Sequence, residues 1–154
     1  MNKYYFGGLL LFVPFSSVAM FNLIEEYDLK TQIDTDHVTI TYAGWTYHLS
    51  SRNRNQDNYI WGIKYKGYEV STMINSFDNR SYVLSYHKQW HYNDWIDVGY
   101  RLGGITGYTK EENSVQLFGI TPLISPTINF HYKSFGIETA IQTDVFIFSL
   151  NYTF

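Results

Sequence analysis

His48, the Asn75-Ser76 pair, Arg52, Arg54 and Arg80 are residues whose types suit one common chemistry. A histidine serves as a general base near neutral pH, and a serine within its reach completes the minimal pair for acyl transfer. An asparagine carbonyl, or a carboxylate such as Asp78, can steer the imidazole. The forked donors of arginine suit phosphate. Each feature alone has a plainer reading: a loop serine is usually solvated, a rim histidine inert, and a loop arginine simply exposed charge. Their convergence above an apolar slot would give them a shared task, so the elements that place them decide the matter.

The chain has 154 residues, enough for one domain, with 45% hydrophobic and 19% aromatic residues, 15 Tyr and 11 Phe. Mean hydropathy is nevertheless only -0.24, which excludes a helical membrane protein. Lys3, the run GLLLFVPF and the small residues Ser16 to Ala19 form the charge, core and cleavage pattern of a secretory signal over residues 1–19. Cleavage is expected after Ala19. The remainder lacks the roughly 20 apolar residues a spanning helix needs, so it is either exported and soluble or a membrane barrel. With no cysteine, no disulfide framework helps decide. A net charge of -3 and no basic run give no support to nucleic-acid binding.

Residues 20–36 form an N-terminal segment in which Leu23, Ile24, Tyr27 and Leu29 fall loosely at helical spacing. It reads either as a short interfacial helix or as a frayed lead-in. Residues 37–154 read as strands, over 37–48, 58–66, 68–77, 80–90, 94–107, 116–132, 135–142 and 144–154. Tight links alternate with polar loops, as in an antiparallel meander. An even number of strands, one aromatic apolar face and a terminal Phe154 predict an all-β, eight-stranded, up-and-down outer-membrane β-barrel. Its expected place is the outer membrane of a Gram-negative bacterium, as a monomer.

This topology sorts inward-facing residues by height, because side chains alternate along each strand. Ala43, Trp45, Tyr47, Ile60, Gly62 and Met73 fall high in the lumen, as do Val83, Gly103, Ile105, Gly107, Ala140, Val145 and Ile147. Thr39, Thr41, Lys64, Glu69, Ser71, Ser85, His87 and Gln89 fall low, together with Asp97, Arg101, Glu138, Ser149, Asn151 and Thr153. The sixth strand resists assignment because Pro122 and Pro126 interrupt its ladder. The predicted lumen is thus apolar toward the outside and polar below. One interpretation is packed core above a satisfied polar plug; the other uses the glycines and alanines as spacers around a dry slot for one acyl chain. His48 and Asn75-Ser76 fall at the same outer rim.

The stretches ITYAGWTYH, NYIWG and NSFDNRSYVLSYH resemble the PagP lipid A acyltransferases, over roughly Val38 to Phe154. The resemblance implies an eight-stranded outer-membrane barrel that moves an acyl chain from a phospholipid to lipid A without a metal or soluble cofactor. It places His48 as base and Ser76 as nucleophile or oxyanion support, with Asn75 where the family carries aspartate. It also puts His87 at the floor of the acyl pocket, where the family has glycine. A chain shorter than palmitate is then expected, since each methylene left unburied forfeits roughly 0.8 kcal/mol. Pro122 and Pro126 resemble the prolines that loosen strand pairing for lateral lipid entry. Two other readings stand beside this one: a deacylase of the PagL type, from the triplet His48-Leu49-Ser50, and a structural or adhesive barrel of the OmpX kind.

Overall fold

Alternating apolar and polar side chains let a strand serve two environments at once. In the computed structural model, eight such strands close into one barrel. It describes residues 36–50, 53–113 and 115–154; the expected signal, positions 20–35 and Arg52 lie outside the described residues. The strands are β1 (Thr39–His48), β2 (Trp61–Tyr65), β3 (Tyr68–Ile74), β4 (Arg80–Asn93), β5 (Ile96–Ile105), β6 (Thr121–Tyr132), β7 (Phe135–Gln142) and β8 (Val145–Thr153). Every neighbour pair is antiparallel, and β1 closes on β8 from Thr39↔Thr153 to His48↔Val145. Short hairpins at Lys66-Gly67, Asp94-Trp95 and Lys133-Ser134 lie at the lower end. The long connections 49–60 and 106–120 lie at the upper end.

Two departures from simple alternation matter. Ala43 adopts φ 54° at a register shift between Tyr42 and Gly44, which adds one residue to β1 at its pairing with β8. Such a bulge exchanges the faces of every residue beyond it. Trp45 and Tyr47, expected in the lumen, therefore point outward and are 42% and 55% exposed. Thr46 and His48 turn inward instead and are buried. Ala43 itself is the bulge residue and not a spacer in the bore.

The second departure concerns β6. Pro122 and Pro126 leave pairing with β5 intact, opposite Gly104 and Tyr100. The interruption falls on the other side, where the β6–β7 ladder begins only at Thr127↔Ala140. Above that point the Ser125 hydroxyl donates to the Ile141 carbonyl at 2.8 Å. β6 also starts later than expected, because Leu117 to Ile120 fold back in a tight turn with Phe118 and Gly119 at φ 51° and 78°. Positive φ at both central residues is the mark of a hairpin turn of the primed type.

The outer surface is apolar and aromatic. Ile63, Val70, Leu84, Ile124, Ile137 and Leu150 are among its exposed residues. At the lower end the aromatic rings of Tyr68 and Tyr86, Trp90 and Tyr100, and Phe135 and Tyr152 pair between strands. Tyr42 with Trp61, and Trp45 with Phe148, do the same nearer the upper end. An apolar band edged by aromatic rings is the outward face of a transmembrane barrel. Inside, Ile60, Met73, Val83, Ile105 and Leu123 pack together, with Tyr108 and Ile147 against them. Below them the buried residues are polar, as read from the sequence, but Thr46, His48, Asn58, Asn75, Ser81 and Thr121 are buried polar residues toward the upper rim, so the apolar zone is a belt and not the whole outer half.

Candidate functional site

The upper rim is built where β1, the 53–58 segment, the β3–β4 turn and the β5–β6 connection meet. The bulge turns His48 inward, where its Nε2 lies 3.3 Å from the Asn55 carbonyl and 3.4 Å from Thr46 Oγ1. His48 Nδ1 is buried without a hydrogen-bond partner. Asn55 in turn donates its backbone N–H to the Ser76 carbonyl at 3.2 Å. His48 and Ser76 thus share a rim, as expected, with Asn55 between them. The Ser76 side chain interacts with Tyr108, whose phenol burial pushes above its usual pKa while the Ser76 contact draws it down.

Asn75 does not steer His48. Its Oδ1 accepts from the backbone N–H groups of Phe77 and Asn79, at 2.9 and 3.1 Å. Its Nδ2 donates to Ser81 Oγ at 3.1 Å and to the Gly107 carbonyl at 2.8 Å. An amide has two donors and one carbonyl oxygen, so these bonds commit it to holding the turn together. Asp78 sits exposed in that turn with φ 63°. Arg54 lies over the Phe77 ring at 4.8 Å, and Phe77 meets Tyr108 edge to face at 6.0 Å between ring centroids. Arg80 is exposed at the start of β4. Ser50, the last member of the His48-Leu49-Ser50 triplet, is exposed and donates to the Asp144 carboxylate, whereas His48 is buried.

Beneath the rim, the upper lumen holds a cavity of about 40 Å³. Met73, Val83, Ile105 and Ile147 line it, as expected. Val145 faces His48 across the β1–β8 pairing. The glycines are not spacers around a slot. A Cβ at Gly103 would fall 2.2 Å from the Leu84 carbonyl oxygen, and one at Gly62 would fall 2.7 Å from Ser71 Cβ. Gly107 combines φ 89° with a Cβ position 2.5 Å from the Arg80 carbonyl oxygen. Here glycine permits close backbone approach.

The lower lumen is a network. Arg101 donates through Nη2 to Glu138 Oε1 at 2.7 Å and through Nε to Glu69 Oε2 at 3.0 Å. Lys64 donates to Gln89 Oε1 at 2.6 Å. His87, expected at the floor of the apolar zone, is buried with Nε2 2.9 Å from Thr127 Oγ1 and 3.7 Å from Glu138 Oε2. It sits opposite Arg101 in the β4–β5 register and lines the polar cavity, so it belongs to the network and not to the floor of the apolar zone. A second cavity, of about 80 Å³, lies among these polar groups. At the lower mouth His91, Asp97 and His131 converge.

Sequence reasoning missed Asn55 and Tyr108. Asn55 reaches the rim through a loop rather than a strand, and Tyr108 lies beyond the end of β5, so period-two counting does not reach either. Asn58, quoted only as part of NYIWG, is fully buried and donates to the Ile74 carbonyl at 2.8 Å.

No protein-family model matches the chain, and no curated protein matches it. Among solved structures, a de novo designed transmembrane β-barrel aligns with a TM-score of 0.57 at 10% identity, covering 80% of this chain and all of its own. The outer membrane protein Ail of Yersinia pestis, determined in a phospholipid bilayer nanodisc, aligns over 77% of this chain and 99% of its own at 11% identity. Its TM-score of 0.43 is too low to argue from. The fold is a closed, eight-stranded, antiparallel β-barrel of the outer-membrane type.

Proposed function

We propose that this chain is a plugged outer-membrane barrel, exported to the outer membrane of a Gram-negative bacterium, that acts as a structural or adhesive shell displaying its long upper connections outside the cell. The observation that carries this reading is the size of the upper cavity. About 40 Å³ is well below the roughly 150 Å³ that accommodates a benzene-sized ligand in a protein core. A space of that size takes an acyl chain only if the side chains around it part, and below it the Arg101 network leaves a cavity of only about 80 Å³.

A second reading, acyl transfer from a phospholipid to lipid A, is favoured by one specific arrangement. His48 is buried with a free Nδ1 beside the Asn55 link to Ser76, directly above an apolar lumen. In this reading His48 takes the Ser76 proton while the serine oxygen attacks the phospholipid ester carbonyl; the ester C–O bond breaks and the lysophospholipid leaves with that proton, after which a lipid A hydroxyl, deprotonated by His48, attacks the acyl-serine and returns Ser76, with Arg54 and Arg80 holding phosphate. Turnover then requires Ser76 to leave Tyr108 and the apolar side chains to part. The loosened β6–β7 seam is where lipid would enter.

Mass spectrometry of lipid A and of free fatty acids, from cells with and without the expressed chain, decides between them. Unchanged lipid A with a folded, heat-modifiable barrel is the expected result. A gain of one acyl mass that is lost in Ser76→Ala would overturn the plugged reading in favour of the transferase. Released fatty acid with lighter lipid A would instead indicate a deacylase.

A further inference from the structure

The lower mouth presents side chains that the readings above do not use. His91 near the end of β4, Asp97 at the start of β5 and His131 at the end of β6 come from three adjacent strands and face one another inside the barrel. His91 Nδ1 lies 2.7 Å from Asp97 Oδ1, and His131 Nε2 lies 3.3 Å from the same oxygen. All three candidate ligand atoms fall within 4.8 Å of one another. We propose that His91, Asp97 and His131 form a binding site for a divalent transition-metal ion of the zinc class.

The donor set suits that chemistry. Two imidazoles and one carboxylate are the ligands favoured by Zn²⁺ among common divalent ions, whereas Mg²⁺ and Ca²⁺ favour oxygen alone. Tetrahedral bonds near 2.1 Å separate neighbouring ligand atoms by about 3.4 Å; His131 and Asp97 already have that spacing, while His91 would move back from Asp97 and the two imidazole nitrogens, within 4.8 Å, would adjust to it.

Asp97 is also oriented for the task. Its second oxygen, Oδ2, accepts from Asn129 Nδ2 at 3.1 Å, and Asn129 Oδ1 accepts from Asn151 Nδ2 at 2.9 Å. This support turns Oδ1 toward the two histidines, as outer-shell bonds do for metal ligands. His131 Nε2 supplies an independent sign. It is buried and has no aligned hydrogen-bond partner, although Asp97 lies close. A cation between the three groups would satisfy that nitrogen and replace the crowding of two imidazoles on one carboxylate oxygen. The His91 side chain is 44% exposed, which leaves an approach from the mouth and a fourth position for water.

The test is calorimetric titration of ZnCl₂ into the untagged, chelator-treated full chain, refolded in detergent micelles. One equivalent is expected to bind, with Mg²⁺ in excess failing to compete. His91→Gln and His131→Gln should each weaken binding by more than about tenfold, and Asn129→Ala by roughly tenfold through loss of orientation. Co²⁺ bound at the site should show the visible bands of a tetrahedral complex, removed by added Zn²⁺. Heat-modifiable migration checks each variant's fold. If His131→Gln does not fold, His91→Gln at the open edge carries the comparison. No saturable binding up to millimolar Zn²⁺, or binding unchanged in the folded histidine variants, overturns the proposal.

Discussion

Arg101 holds two carboxylates at once, and its own side chain is only 13% exposed. Removing one member of such a buried set leaves the others as uncompensated charge, which generally costs about 3–5 kcal/mol, whereas replacing the whole set with matched uncharged groups costs much less. Arg101→Met is therefore expected to lower stability by about that amount, read as a fall in the urea midpoint of the barrel in lipid vesicles. Adding Glu69→Gln and Glu138→Gln to it should recover most of the loss. A triple variant no more stable than Arg101→Met would show that the network is not the unit of stability. Asn75 is a second case where a single residue carries structure: its amide closes the β3–β4 turn from both ends.

In β1 one residue decides what faces the lumen. Ala43 at φ 54° occupies a conformation costly for any side chain with a Cβ and more so for a branched one. Ala43→Val is expected to destabilise the barrel by about 1–3 kcal/mol, and Ala43→Gly to stabilise it by up to about 1 kcal/mol, in thermal unfolding followed by circular dichroism. Equal stability of the two variants would mean the bulge is not held at that position. Beyond it, Trp45 gains a stacked partner in Phe148 on the lipid face, 5.9 Å between ring centroids. His48 gains its enclosed place at the rim. The prolines of β6 act on the same scale, leaving one side of the strand paired and the other open above Thr127.

At the scale of the whole molecule, eight strands leave a bore that side chains can fill. Here an apolar cluster above and ion pairs below leave only cavities of about 40 and 80 Å³. The Arg101 side chain borders both cavities and, held by Glu69 and Glu138, stands across the bore. Reconstituted into a planar bilayer, the chain is expected to show no steady ion conductance. A stable open level would contradict the filled lumen and would require the Arg101 network to part.

Much of this was legible in the sequence because a strand's pattern is local. Period-two alternation identified the eight strands and sorted Glu69, Arg101 and Glu138 below Met73, Val83 and Ile105. It also brought His48 and Ser76 to one rim. Three things were decided only by tertiary structure. The inserted residue at Ala43 appears only when β1 is paired against β8, and it reversed Trp45 and Tyr47. The bonding of Asn75 depends on Ser81 and Gly107 arriving from other parts of the chain. The room inside the barrel depends on how closely whole strands approach, and a glycine in the sequence looks the same whether it opens a space or lets a neighbouring backbone close it.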